Sequence, residues 1–247
     1  MNGRAPIRLH QFPPVWGRNI SPFTLKLETW LRLAGIAYEV VEVRNPKQGP
    51  KGKAPFIEDG GRKLGDSGLI IEHLSRTRGI DLDAGLDRAA RADQLAFRRL
   101  LEEHFYFILA WSRWIDPEGW RSVRPGMFGF LPPGPRQIVA GLVRRDMRRV
   151  LAGQGIGRHS REEIYALGRA DLEAVSALLG DGPFFFLDRP TTFDAVAYGF
   201  LANVLFVPVE TELKRTALEF ANLKAFCHAM ERRLGEHAGG PAAAPAA

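Results

Sequence analysis

Apolar and polar positions alternate along the first eighty residues in a pattern that predicts strands and helices in turn. Alternation over 7–12 and again over 38–43 predicts two strands. Between them, apolar residues recur every three to four positions over 23–34, which predicts a helix. Ser21-Pro22 supplies an N-cap followed by proline at the first helical position. A strand, a helix and a strand in this order favour a parallel pair.

The next apolar run begins at Pro55 and predicts a hairpin. Phe56-Ile57 leads into a turn at 59–61, and the chain returns at 63–64. A proline at the mouth of a strand has no N–H for the ladder. An X-Pro bond costs only about 0.5–1 kcal/mol in the cis form, so a cis bond is accessible here. A cis bond would leave the backbone N–H and C=O of Ala54 unpaired, and an extended peptide could pair with them.

A helix is predicted directly after the hairpin, over 67–78, and its start suits an anion. Asp66 and Ser67 stand at this start. Free N–H groups and the positive end of the helix dipole make such a start a seat for a carboxylate. A peptide edge beside a carboxylate seat predicts a site for a small acidic peptide.

After residue 79 the strand signals stop and helical periodicity takes over. Five prolines and four glycines in 117–135 predict an insert without a helix. Capping boxes at Ser160–Glu163 and Thr191–Asp194 mark two helix starts, and the helix after Thr191 is apolar nearly all round, which predicts a central position. The predicted helices span 86–114, 137–152, 161–179, 191–205 and 222–234.

Composition narrows the classes of function. A chain of 247 residues with 45% hydrophobic and 25% charged residues is ordinary for a folded protein of one or two domains. The net charge of +6 comes from arginines spread over the predicted helices, which disfavours nucleic-acid binding and leaves binding to an anionic surface as a minor alternative. The single cysteine, Cys227, allows no intrachain disulfide. No apolar run reaches the roughly 18 residues of a membrane span, and no signal-peptide core is present, so we expect a cytoplasmic protein without stable membrane insertion.

Several motifs in order resemble one family. An α/β thioredoxin-like N-terminal half followed by an all-α helical bundle, with Lys53-Ala54-Pro55, Asp66-Ser67 and Thr191-x-x-Asp194, resembles the cytosolic glutathione transferase superfamily. The stretches 21–35, 102–106, 153–159 and 188–194 are similar to its branch of failed axon connections proteins and metaxins. The resemblance implies a thioredoxin-like domain over 1–79, a linker over 80–86 and a helical domain over 87–237. The Gly, Pro and Ala composition of 238–247 predicts a disordered tail.

The resemblance also implies a glutathione site in the first domain. The cysteinyl backbone of glutathione would pair with Ala54 beside a cis Pro55. The γ-glutamyl carboxylate would lie on Ser67 with Asp66 near the ammonium, and Lys53 would meet the glycyl carboxylate. The alternative is that Pro55 belongs to the fold architecture and that Asp66-Ser67 only cap a helix.

Ser21 is the candidate catalytic residue. It precedes proline at a helix N-terminus, where a hydroxyl and the helix dipole would stabilise a thiolate and lower its pKa. Its role would be to donate a hydrogen bond to sulfur, since serine is a weaker nucleophile than cysteine. The alternative is that Ser21 is an N-cap and nothing more.

The long helix over 86–114 supplies the candidates for an electrophile pocket: Glu103, Tyr106, Phe107 and Trp111. In the family this helix borders the cleft between the domains. The alternative is that an aromatic stripe is core, and that His104 is a structural histidine. The sequence has no clustered metal-ligand spacing, so we predict no metal.

Two hypotheses of function follow. The first is a glutathione transferase that conjugates or reduces an apolar electrophile, as a homodimer formed through the last helix of the first domain and the long helix that follows. The second is a non-catalytic binding or scaffold protein of the metaxin type. The long loop at 13–18 and the insert at 117–135 favour the second, because either could cover the site.

Overall fold

The computed structural model describes residues 6–236, so the predicted C-terminal tail lies outside the described residues. Within that range the four strands form one sheet in the order β2-β1-β3-β4. These are β1 (Ile7–Gln11), β2 (Tyr38–Glu42), β3 (Phe56–Asp59) and β4 (Arg62–Gly65). β1 and β2 are parallel, whereas β3 pairs antiparallel with both β1 and β4. The predicted parallel pair and hairpin are confirmed.

Two helices complete the first half and share a core with the sheet. α1 (Pro22–Leu33) connects β1 to β2, and α2 (Ser67–Arg78) follows β4. The buried apolar side chains that they share with the sheet are Ile7, Leu9, Leu27, Trp30, Leu31, Ile57, Ile70 and Leu74. The three-to-four spacing in α1 and the alternation in β1 place these side chains on facing surfaces.

The second half is helical throughout, as predicted. The predicted long helix is present as α3 (Arg88–Arg99), a π-helical turn (Leu100–Phe105) and α4 (Tyr106–Trp114). The later helices are α7 (Arg161–Leu179), α8 (Thr192–Leu205), α9 (Glu212–Leu218) and α10 (Ala221–Glu236). The π-helical turn and the seven-residue α9 have no counterpart among the predicted elements.

The proline-rich insert corrects a prediction. Instead of a break, the structure has α5 (Pro117–Phe128), and α6 (Pro133–Gln154) begins earlier than predicted. Pro117 and Pro133 occupy the first helical positions, where the missing N–H costs nothing. Asp116 caps α5 by accepting hydrogen bonds from the N–H groups of the first turn.

The two halves meet where α8 crosses α1. A Cβ atom on Gly199 would lie 2.7 Å from the carbonyl oxygen of Pro22 and 2.9 Å from the nitrogen of Lys26, so the crossing requires glycine. Every residue of α8 after Thr192 is buried, which confirms the prediction of a central helix. The molecule is therefore a thioredoxin-like half packed against a helical half.

Candidate functional site

The site lies in the first half, where the strand β3 and the helix α2 begin. The Ala54–Pro55 peptide bond is cis, as the sequence suggested, and Pro55 is buried at the mouth of β3. Ala54 is half-buried just before it, and Lys53 is exposed. The structure thus brings Lys53, Ala54 and Pro55 to the N-terminal end of β3, which is an inner strand of the sheet.

The start of α2 is capped by its own aspartate. Asp66 has a positive φ of 79°, and its Oδ1 accepts hydrogen bonds from the N–H groups of Gly68 (2.9 Å) and Leu69 (3.1 Å). The Ser67 N–H, the first of the helix, lies outside this cap. Asp66 is exposed and Ser67 is buried. The predicted pair therefore lies at the helix start, where Asp66 is the N-cap and Ser67 is the buried first residue of α2.

Sequence reasoning missed a buried lysine behind Ser67. The Nζ of Lys26, on α1, donates to the Ser67 Oγ at 3.1 Å and pairs with the Glu102 carboxylate. Lys26 is 1% exposed and Glu102, from the π-helical turn, is 8% exposed. Burial lowers the pKa of Lys26, and Glu102 opposes that shift. The only signal in the sequence was a lysine next to apolar Leu25 and Leu27.

Ser21 is the N-cap of α1. Its Oγ accepts from the Thr24 N–H at 3.4 Å, and its own N–H donates to the Asn19 Oδ1 at 3.0 Å. Asn19 is buried and in turn donates to the carbonyl of Phe12. The hydroxyl proton of Ser21 is not used by the cap, because Oγ acts there as an acceptor.

A buried guanidinium holds the turn that carries Ser21. Arg113, on α4, donates to the carbonyl of Ile20 at 2.9 Å and to the backbone carbonyl and side-chain Oδ1 (3.1 Å) of Asn203. It is 6% exposed, and no carboxylate lies within 4.0 Å of it in the range 6–236. Burial lowers the pKa of Arg113 to about 10. The sequence analysis did not single out this residue.

The four candidates for an electrophile pocket do not share one surface. Tyr106 packs edge-on against Phe23 of α1 (4.9 Å between ring centroids) and against Phe107 (5.1 Å), so these two candidates lie together beside the first half. Burial raises the pKa of Tyr106, so its hydroxyl is protonated at neutral pH.

The other two candidates lie elsewhere. The Glu103 side chain is 62% exposed and pairs with Arg99 at 3.3 Å. Trp111 is buried in the helical core, edge-on to Tyr165 at 5.7 Å. For Trp111 the structure therefore matches the alternative that the aromatic stripe is core. His104 contacts Asp171 at 2.7 Å, in keeping with a structural role.

The insert packs on the long loop before α1. Gly126 of α5 lies against the indole of Trp16, so closely that a Cβ there would overlap the ring. Val123 and Trp120 of α5 pack with Ile20, the neighbour of Ser21. The insert, through α5, therefore packs beside the N-terminus of α1 and covers the loop that precedes it.

Comparisons with known proteins identify the family. A family model described as glutathione S-transferase N-terminal domain matches residues 22–119, and one described as glutathione S-transferase, C-terminal domain, matches residues 168–230. The isoprene-epoxide–glutathione S-transferase of Rhodococcus sp. (strain AD45) is 35% identical over 209 residues, which cover 80% of this chain and 86% of that protein. The chain belongs to the glutathione transferase superfamily.

Within the superfamily, the chain is also similar to proteins of the failed axon connections and metaxin branch. Failed axon connections of Drosophila melanogaster is 36% identical over 75% of this chain, which spans 47% of that protein's length. Metaxin-2 of Homo sapiens is 25% identical, with 87% of this chain and 83% of that protein covered. The resemblance to this branch is confirmed.

Solved structures show the same fold. A glutathione S-transferase of Ceriporiopsis subvermispora in complex with glutathione superposes with a TM-score of 0.64 at 18% identity, covering 97% of this chain and all of that one. At this identity the likeness shows the glutathione transferase fold alone.

The described residues contain neither a membrane-spanning helix nor a metal cluster. Across residues 6–236, every helix is either too short or too polar to cross a bilayer. In the same range, no three His, Cys, Asp or Glu side chains cluster as metal ligands would.

Proposed function

We propose that the chain is a glutathione-dependent transferase that binds glutathione between Ala54 and Ser67 and joins its sulfur to a small apolar electrophile. The observation that carries the proposal is that Phe56 pairs with Gly65, which brings Ala54 beside the start of α2 at Ser67. Ser21 caps the N-terminus of α1. The peptide backbone of glutathione pairs with Ala54, its γ-glutamyl carboxylate takes the Ser67 N–H and hydroxyl, and Lys53 meets the glycyl carboxylate. Asp66, exposed beside Ser67, faces the ammonium.

Ser21 stabilises the thiolate in this proposal. Its hydroxyl proton is free to point at sulfur, and the dipole of α1 adds to the stabilisation. The buried charge of Arg113 lies one residue away, at Ile20, and favours the same anion.

We propose an epoxide as the class of electrophile, on the strength of the name of the Rhodococcus relative. The thiolate attacks a ring carbon, so that a carbon–sulfur bond forms and a carbon–oxygen bond breaks. The alkoxide takes up one proton, which balances the proton lost by the thiol. In this proposal Tyr106 and Phe107 line the pocket beside Phe23, and the protonated Tyr106 hydroxyl donates a hydrogen bond to the developing alkoxide.

A second copy of the chain is the expected partner. We propose a homodimer in which the contacts are made by α2 and by the long helix that α3, the π-helical turn and α4 form. Light scattering on the purified protein, which measures the mass in solution, tests it.

The second candidate function is a non-catalytic binding protein of the metaxin type. Two observations favour it: the similarity to Metaxin-2 and the packing of α5 on the loop before Ser21. Such a protein would keep the fold and lack turnover.

The test compares two serine caps. Ser21→Ala and Ser160→Ala each remove an N-cap, worth about 1 kcal/mol, but Ser160 begins the distant helix α7. We expect Ser21→Ala to lower turnover of isoprene epoxide with glutathione by about a hundredfold and Ser160→Ala to leave it unchanged. Full turnover in Ser21→Ala would remove Ser21 from the mechanism. Glutathione binding without turnover in the wild type would favour the second candidate.

A further inference from the structure

The feature that the proposed function leaves unused is the buried ammonium of Lys26. It reaches from the inner face of α1 to the Ser67 Oγ, at 3.1 Å, directly beneath the start of α2. Both residues are buried. A lysine is almost never fully buried unless it is paired, so its placement here requires a reason.

The direction of the hydrogen bond fixes what Ser67 can do. An ammonium group only donates, so Ser67 Oγ is the acceptor and its own proton points away from Lys26. Asp66 already occupies the N–H groups of Gly68 and Leu69. The donors left at the start of α2 are therefore the N–H and the O–H of the same serine, two neighbouring donors that suit the two oxygens of one carboxylate.

The charges around Lys26 suit an anion as well. Glu102 pairs with Lys26 and lies 3.8 Å from the Nε of Arg98, so one carboxylate is shared by two cations. These three groups keep a net charge of +1. The exposed carboxylate of Asp66 also interacts electrostatically with Lys26. Beside the two donors of Ser67 it offers a negative charge to an ammonium, so both charges of a free amino acid would find a partner here.

We propose that Lys26 is a positioning residue that makes the seat at Ser67 selective for a free carboxylate, which in glutathione is the α-carboxylate of the γ-glutamyl residue. The inference rests on the proposed function. It adds that Lys26 turns the Ser67 hydroxyl outward and polarises it, and that Glu102 competes with the ligand carboxylate for the charge of Lys26. Since Glu102 belongs to the π-helical turn, the seat is built by both halves of the molecule.

The experiment measures selectivity rather than affinity alone. Calorimetric titration compares glutathione with its analogue in which the γ-glutamyl α-carboxylate is an amide. We expect the wild type to prefer glutathione by about tenfold or more, because a charge-assisted hydrogen bond is roughly twice as strong as a neutral one. The variant Lys26→Met/Glu102→Gln removes both charges of the pair, so that no unpaired carboxylate remains buried. We expect its preference to fall to about threefold or less.

A matched control and a second variant guard against a merely structural effect. Lys214→Met/Glu210→Gln removes another lysine–glutamate pair, in the helical half, and is expected to keep the wild-type preference. Glu102→Gln keeps Lys26 on Ser67 but removes its protein counter-charge, so the preference for the carboxylate should increase. A structural role alone would not produce opposite changes in the two variants.

The outcomes separate the two claims. If the wild type shows no binding at millimolar glutathione, the proposed function fails and this inference falls with it. If the wild type binds but Lys26→Met/Glu102→Gln keeps the full preference, or if Glu102→Gln lowers it, the proposed function stands and the role of Lys26 is refuted.

Discussion

The buried capping box of α8 gives the most quantitative prediction. Three donors meet on the Asp194 carboxylate: the N–H of Phe185 at 3.0 Å, and the N–H and hydroxyl of Thr191 at 2.8 and 2.6 Å. Asp194→Ala leaves all three buried without an acceptor. At about 1–2 kcal/mol for each unpaired donor, the free energy of unfolding falls by about 3–6 kcal/mol at pH 7. We expect the melting temperature to fall by about 10 °C or more.

The Asp194 carboxylate also makes the free energy of unfolding depend on pH. Burial raises the pKa of Asp194 to about 6 in the folded chain, from the ordinary 3.8 of an aspartate. The folded state therefore holds this proton more tightly, so the part of the stability that comes from binding it is fully present below about pH 4 and is lost as the pH rises through 6. The difference between the pKa in the folded chain and the ordinary pKa corresponds to about 3 kcal/mol in the free energy of unfolding. The loss of stability caused by Asp194→Ala should thus be larger at pH 4 than at pH 7 by about that amount.

Urea unfolding of wild type and variant at the two pH values checks both figures. Glu163→Ala is the matched control, because Glu163 holds the equivalent position in the exposed capping box of α7. We expect it to cost about 1 kcal/mol or less. Glutathione should bind folded Asp194→Ala with the wild-type affinity. A wild-type melting curve for Asp194→Ala, or a stability difference that shrinks toward pH 4, would refute the reasoning.

Three further predictions test other parts of the molecule. Gly199→Ala places a methyl group 2.7 Å from the carbonyl oxygen of Pro22, so urea unfolding should show a loss of about 1–3 kcal/mol as α1 and α8 are forced apart. Arg113→Met leaves the carbonyls of Ile20 and Asn203 unpaired, so urea unfolding should show a free energy of unfolding lower by about 2–4 kcal/mol. The absorbance of the thiolate should show a higher thiol pKa for bound glutathione in this variant. Cys227 is fully buried and burial raises the pKa of its thiol, so a disulfide reagent should react with it only after unfolding; reaction in the native protein would contradict its placement.

The sequence predicts most of the fold because its signals are local. The spacing of apolar residues, the Ser21-Pro22 start and the two capping boxes each mark an element without reference to the rest of the chain. The insert at 117–135 was mispredicted because prolines were counted as helix breakers. Pro117 and Pro133 instead begin helices, and only their position relative to a cap such as Asp116 distinguishes the two cases.

The site is only partly predictable, because two of its features depend on tertiary structure. The predicted helix over 86–114, which carries Glu103 and Trp111, assumes 3.6 residues per turn, but the π-helical turn adds residues and changes the register. As a result Glu102 is buried on Lys26 and Glu103 is exposed. The apolar neighbours Leu25 and Leu27 are the one local sign that Lys26 is buried, and they do not reveal its partner, which lies 76 residues away.

Binding of glutathione at Ser67 is the central claim, and calorimetric titration of wild type and Ser67→Ala tests it most directly. We predict saturable binding to the wild type and a loss of about tenfold or more in Ser67→Ala, because the carboxylate loses one of its two donors at the start of α2. Ser176→Ala, in α7, is the control and should bind as the wild type does. Equal affinity in wild type and Ser67→Ala, or no binding at millimolar glutathione, would contradict the account.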